Sequence, residues 1–134
     1  MAMTNLDPRN LPESMLEFLV ERHLATLTVV KADHTPHVTP VGVTYEQELG
    51  LARVITWADS WKAKHVASLG SAAVAVCSVD GGRWVTLSGT GTVTSDAVAV
   101  AEAVRRYAQR YRQPKERDDR VVIEIAVDRV FGRA

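Results

Sequence analysis

Apolar and polar residues alternate along this chain with two different periods, and the switches between them mark out short elements. Leu11, Met15, Phe18 and Leu19 fall on one helical face, with Asn10 placed to cap that helix and Glu13 at the capping-box distance. Residues 1–10 ahead of it carry no apolar period and read as a loose lead-in. The β-branched run 23–30 predicts a strand, the polar stretch 32–35 a turn, and residues 37–45 the return strand of a hairpin. Residues 51–57 predict a third strand.

At residues 60–69 the spacing becomes helical, with Ala63, Val66 and Ala67 inward and Gly70 as the stop. Residues 72–79 are almost continuously apolar, the pattern of a strand covered on both faces. After the turn at Asp80, Gly81 and Gly82, Val85, Leu87 and Val93 alternate with Thr86, Ser88, Thr90, Thr92 and Thr94. Gly89 and Gly91 give this long strand room to bend. Asp96 caps a helix whose predicted inward row is Ala97, Ala101, Val104, Ala108 and Tyr111, and Pro114 ends it. Val121, Ile123, Ile125 and Val127 form one face of a last strand. Six strands with hairpin-length links predict a mainly β fold, an antiparallel barrel with helices, in one domain over residues 1–134.

Composition narrows the partners. Sixteen basic and sixteen acidic side chains cancel, so there is no overall field to draw in nucleic acid or an anionic membrane. Cys77, the single cysteine, cannot form an intramolecular disulfide, and no apolar stretch is long enough to span a bilayer. These features predict a soluble protein of the reducing cytoplasm. Neither His34 and His37, astride a turn, nor His23 and His65 match a zinc-ligand spacing, so no metal is expected. No serine elbow or Ser/His/Asp arrangement points to hydrolysis.

Chemistry concentrates in residues 53–64, where a strand runs into a helix capped by Ser60. The first turn of such a helix offers free backbone N–H groups and the positive end of its dipole. Lys62 and Lys64 lie in that turn, and Thr56 and Ser60 add hydroxyls, a set able to hold a phosphate. The same pattern also fits an ordinary capped helix with solvated lysines. A second stretch, residues 36–44, sets Pro40 and Gly42 among apolar residues, so that a flat ring could approach the backbone. Alone, such a strand is more often plain barrel wall.

Taken together, ERHLATL, ADHTPHVTPVGVTY, ARVIT followed by S-x-K-A, DGGRWVTLSGTGTV, RYAQRYRQP and VVIEIAVDRVFG resemble the split β-barrel flavin and deazaflavin oxidoreductases, the superfamily of the pyridoxamine 5′-phosphate oxidases. Within it the chain is most similar to the mycobacterial branch that uses coenzyme F420, particularly its small biliverdin-reductase-like members. The resemblance runs in family order from about Glu13 to Gly132. It implies a six-stranded split barrel and a homodimer with cofactor grooves between subunits. Thr56, Ser60 and Lys62 match the positions that hold the cofactor phosphate, with Arg53 and Lys64 as weaker matches. Pro40, Val41 and Gly42 would line the tricyclic ring, Ile55 would lie beneath it, and Trp84 matches an aromatic contributed by the partner subunit. His65, Val66 and Ala67 depart from the family, which often has an asparagine on that helix.

The implied reaction is hydride delivery from the reduced deazaflavin to an electron-poor carbon of a small organic acceptor, biliverdin or a related tetrapyrrole, with no obligatory catalytic side chain. FMN would present a phosphate to the same helix end, so FMN stays open as the cofactor, as does a non-catalytic role in binding a flavin or tetrapyrrole. Residues 105–120 hold seven basic and three acidic side chains. They fit a helix C-terminus favoured by its dipole, or an acidic ligand held by Arg110 and Arg112.

Overall fold

The computed structural model describes residues 2–134. Its backbone forms strands β1 (Met3–Leu6), β2 (Ala25–Val30), β3 (Pro36–Val41), β4 (Thr44–Glu46), β5 (Leu51–Trp57), β6 (Ala72–Asp80), β7 (Arg83–Thr94) and β8 (Arg120–Arg133). Helices α1 (Glu13–Val20), α2 (Trp61–Leu69) and α3 (Ala97–Arg110) lie between them. The fold is mainly antiparallel β, as the pattern predicts, but with eight strands in place of six. The two additional strands have clear causes. β1 is made by pairing with β8, Met3 opposite Gly132 and Leu6 opposite Val130, so the supposed lead-in owes its shape to residues more than a hundred positions away. Asn5, between those pairs, takes a positive φ of 55° where the register shifts. The predicted return strand breaks at Gly42 and Val43 into β3 and β4.

That break decides the architecture. The strands run in the order β3-β2-β6-β7-β8-β5-β4, so β3 and β4 are opposite edges and no ladder joins them. Yet β3 ends at Val41 and β4 begins at Thr44. Three Cα–Cα steps span at most about 11 Å, so the two edges must approach at this end and the sheet must roll up. The roll is open, not a closed barrel. Its interior is filled by Leu27, Val54, Val76, Leu87, Ile123 and Ile125, with Met15 and Phe18 of α1 packed beneath.

Four further expectations are corrected. No side chain caps α1: Pro12 occupies the cap position, and the Asn10 amide turns back to the Asp7 carbonyl at 3.0 Å. Within a single chain β6 is covered on one face only. Ala72, Val74, Val76 and Ser78 are buried, but Ala73 and Val79 are exposed and Ala75 and Cys77 half-exposed, because small apolar side chains do not reveal which face is covered. The inward row of α3 is also rotated. Ala103 and Arg110 are buried and Ala97 and Ala101 exposed. Alanines on several faces left the helix phase open, and Tyr107 and Tyr111 set it by packing on Gly42, where a Cβ would lie 2.7 Å from the Tyr107 ring and 3.0 Å from that of Tyr111. Ala67 of α2 is likewise exposed, whereas Ala63 and Val66 are buried.

Candidate functional site

β5 delivers Thr56 and Trp57 to the start of α2, and Ser60 caps that helix by accepting the Ala63 amide at 3.3 Å. Thr56 Oγ1 donates to Ser60 Oγ at 2.9 Å, and both residues are buried. The two hydroxyls therefore brace the turn. Among the described residues the amides of Trp61 and Lys62 carry no intramolecular hydrogen bond, which leaves them as free donors at the positive end of the dipole. Lys62 also carries an ammonium at this turn. It sits 5.1 Å from the centre of the Trp57 ring, and burial pulls its pKa below the usual lysine range. An anion placed there would restore the solvation this ammonium has lost.

Lys62 and Thr56 border a cavity of about 200 Å³ whose apolar wall is Pro40, Val41, Gly42 and Ile55. Six residues singled out from the sequence thus meet at one place. Trp57, Tyr107, Pro114 and Arg120 also line it and were not singled out. The signal for Tyr107 was its i,i+4 spacing from Tyr111. Trp57 and Arg120 become neighbours only through the register of β5 on β8, where they are paired. Arg120 is tied by Nη2 to the Lys115 carbonyl at 2.6 Å, and burial lowers its pKa.

The other candidates lie elsewhere. Arg53 is buried, its Nη1 2.9 Å from Glu46 Oε1 but without hydrogen-bond geometry, so it belongs to an ion cluster with Glu46 and does not line the Lys62 cavity. Arg106 meets the same carboxylate at 3.2 Å and also Glu102, whose pKa its two arginine neighbours, Arg105 first, hold down at about 2. Arg110 is corrected more sharply. It is buried, and Nε and Nη1 donate to the carbonyls of Glu21 at 2.8 Å and Val43 at 2.6 Å, leaving little for a ligand. Lys64 is exposed, its ammonium 5.1 Å from the Trp61 ring. Arg112 is exposed beside a neighbouring cavity. Trp84 sits on the outer face of β7, edge-on to Phe131 at 5.8 Å, and does not line the Lys62 cavity of its own chain.

His37 and His65 face each other next to this site, ring centres 5.1 Å apart, and His37 Nδ1 is buried without a partner. Burial first, then the charges of His65, Lys31 and Lys62, keep the His37 imidazole below its ordinary 6.5. The unfolded chain therefore binds this proton more readily than the folded one. The resulting stability is fully present above pH 6.5 and is lost as pH falls below that value. Between about pH 7.5 and about pH 5.5 the urea midpoint should drop more for the wild type than for His37→Gln. Parallel declines would remove His37 as the cause. Among the described residues no group of three or more His, Cys, Asp or Glu side chains is placed to hold a metal.

The family model described as pyridoxamine 5′-phosphate oxidase matches residues 11–134. The chain belongs to that family. As a member of the pyridoxamine 5′-phosphate oxidase family it is 48% identical, over all 134 residues and 96% of the relative's length, to the F420H2-dependent biliverdin reductase of Mycobacterium tuberculosis (strain CDC 1551 / Oshkosh). Among solved structures it is similar to the conserved hypothetical protein Rv2991 from Mycobacterium tuberculosis, with a TM-score of 0.72 and 20% identity over 90% of this chain and 83% of that one. An F420 reductase superposes with a TM-score of 0.70 at 21% identity, covering 90% of this chain and 98% of that one. At such identities these two structures show the common fold alone.

Proposed function

We propose that this chain, acting as one domain, is an F420H2-dependent reductase of a conjugated organic acceptor, biliverdin or a related tetrapyrrole. The observation that carries this reading is the Lys62 cavity. One end is lined by Lys62, in the first turn of α2, and by Thr56, which suit a phosphate, and the other offers an apolar wall from Pro40 to Gly42 with Ile55, which suits a flat ring. The donor set therefore fits a phosphorylated deazaflavin, and the named 48% identical relative favours it over other flavins. When bound in its reduced form, such a cofactor would supply a hydride, two electrons passing to the acceptor with it and the cofactor being left oxidised. The chain's own part is to anchor the phosphate at Lys62, to hold the ring against Pro40–Gly42 and to keep water from the apolar wall.

The same reading includes a homodimer. Across the outer sheet face run the rows Pro40, Thr26, Cys77, Thr86 and Val38, Thr28, Ala75, Ser88, with no charge among them. Val38 and Val79 are 55% and 56% exposed on this face, and Trp84 stands beside Val79. A second copy placed there would cover these groups and receive Trp84 near its own groove. The free, half-exposed Cys77 agrees with a reducing compartment, and we place the protein in the cytoplasm. Among the described residues no helix is long and apolar enough to cross a membrane.

Lys62→Ala should weaken F420 binding by about 1.5–3 kcal/mol, the size of a hydrogen bond to a charged group, with the circular dichroism spectrum unchanged. Calorimetry with F420 and with FMN checks both halves of the reading. Unaltered F420 affinity would move the phosphate elsewhere, and tight FMN binding without deazaflavin binding would replace the cofactor.

A further inference from the structure

Next to the Lys62 cavity lies a second of about 360 Å³, lined by Arg22, Leu24, Tyr107, Tyr111 and Arg112. Tyr107 borders both, so the two spaces meet at its ring. Tyr107 and Tyr111 pack with centres 4.9 Å apart and planes inclined by 32°. Tyr111 is fixed in place: its hydroxyl accepts the Val43 amide at 3.2 Å and donates to the His23 carbonyl at 2.7 Å. Leu24, 71% exposed, adds uncovered apolar surface. Arg22 and Arg112 are exposed, and among the described residues neither has a carboxylate within 4.0 Å. Their situation contrasts with that of Arg53, Arg83, Arg105, Arg106 and Arg117, all held by acidic side chains.

We propose that this second cavity seats the acceptor, a flat conjugated molecule with two carboxylates, its plane on Tyr107 and Leu24 and its carboxylates on Arg22 and Arg112. Guanidinium groups pair with carboxylates through two parallel hydrogen bonds, and a phenol face with exposed leucine favours a planar, apolar body. An acidic tail on the cofactor could satisfy the same arginines, but a flexible chain makes no use of an aromatic floor. The assignment rests on the cofactor occupying the Lys62 cavity, since only then does Tyr107 bring the acceptor against the reacting ring.

The test uses the full chain without cofactor and follows biliverdin binding by absorbance and tryptophan quenching. Biliverdin dimethyl ester serves as the probe without carboxylates. The wild type should bind the free acid about tenfold or more tightly than the ester, and Arg22→Ala/Arg112→Ala should lose that preference while its F420 affinity is unchanged. Equal wild-type affinity for acid and ester overturns the proposal without reference to any variant. So does a double variant that keeps biliverdin and loses F420, which would give the arginines to the cofactor tail. Because biliverdin is read without cofactor, failure here is distinct from failure of the Lys62 assignment.

Discussion

Gly89→Ala is expected to lower the stability of the fold by about 3 kcal/mol, with a fall in melting temperature on the order of 10 °C. A Cβ at this position would lie 1.9 Å from the Ala126 carbonyl oxygen and 2.8 Å from its carbon. Both obstacles are backbone, so no rotamer change relieves the clash. They lie where the ladder between β7 and β8 slips: Ser88 pairs with Arg129 and Gly89 with Val127, leaving Asp128 unpaired as a bulge in β8. Relief would require β8 to pull away from the centre of the sheet. Gly82→Ala is the control, since a Cβ there meets nothing within 4 Å, and it should stay within about 0.5 kcal/mol of wild type. Urea unfolding of the two variants decides the matter. Equal stabilities would mean that the β7–β8 bulge is not as described.

Arg110→Ala should also cost about 3 kcal/mol, and it separates a structural role from a ligand role. The guanidinium joins three parts of the chain, through Glu21 after α1, Val43 at the sheet crossing and α3 itself, with a longer bond of 3.5 Å to the Phe18 carbonyl. Burial lowers its pKa, Tyr111 and the Glu21 carboxylate offset that only in part, and the direct partners of the guanidinium are carbonyl oxygens. Without it the Val43 and Glu21 carbonyls lose their side-chain donor. F420 affinity, measured at a temperature where the variant is folded, should match wild type. Intact stability with lost affinity would return Arg110 to the site.

These two residues show how far the sequence could be read. The alternation of Val85, Leu87 and Val93 and the row Val121, Ile123, Ile125 and Val127 located two long strands, and Asp96 and Ser60 were legible as caps. Those signals are local, carried by period two or by one side chain against its own backbone. The gathering of Thr56, Ser60 and Lys62 was legible for the same reason, because they lie within one strand-to-helix turn. β1 was not, since its four residues become a strand only through β8. The fate of the arginines was not legible either. Arg53, Arg110 and Arg112 look alike in the chain, yet one meets Glu46, one meets backbone carbonyls and one borders an open cavity. Which of these happens depends on what the rolled sheet brings to them.

The crossing at Gly42 and Val43 also limits how this groove can be changed. Gly42 lines the cavity and, with Val43, directly links the two opposite edge strands of the sheet. Any larger side chain at Gly42 pushes on Tyr107 and Tyr111, and hence on both cavities at once. Selectivity and architecture are fused there. Trp57, Pro114 and Arg120 reach the same space from outside the seam, so retuning what the groove accepts is best attempted through them.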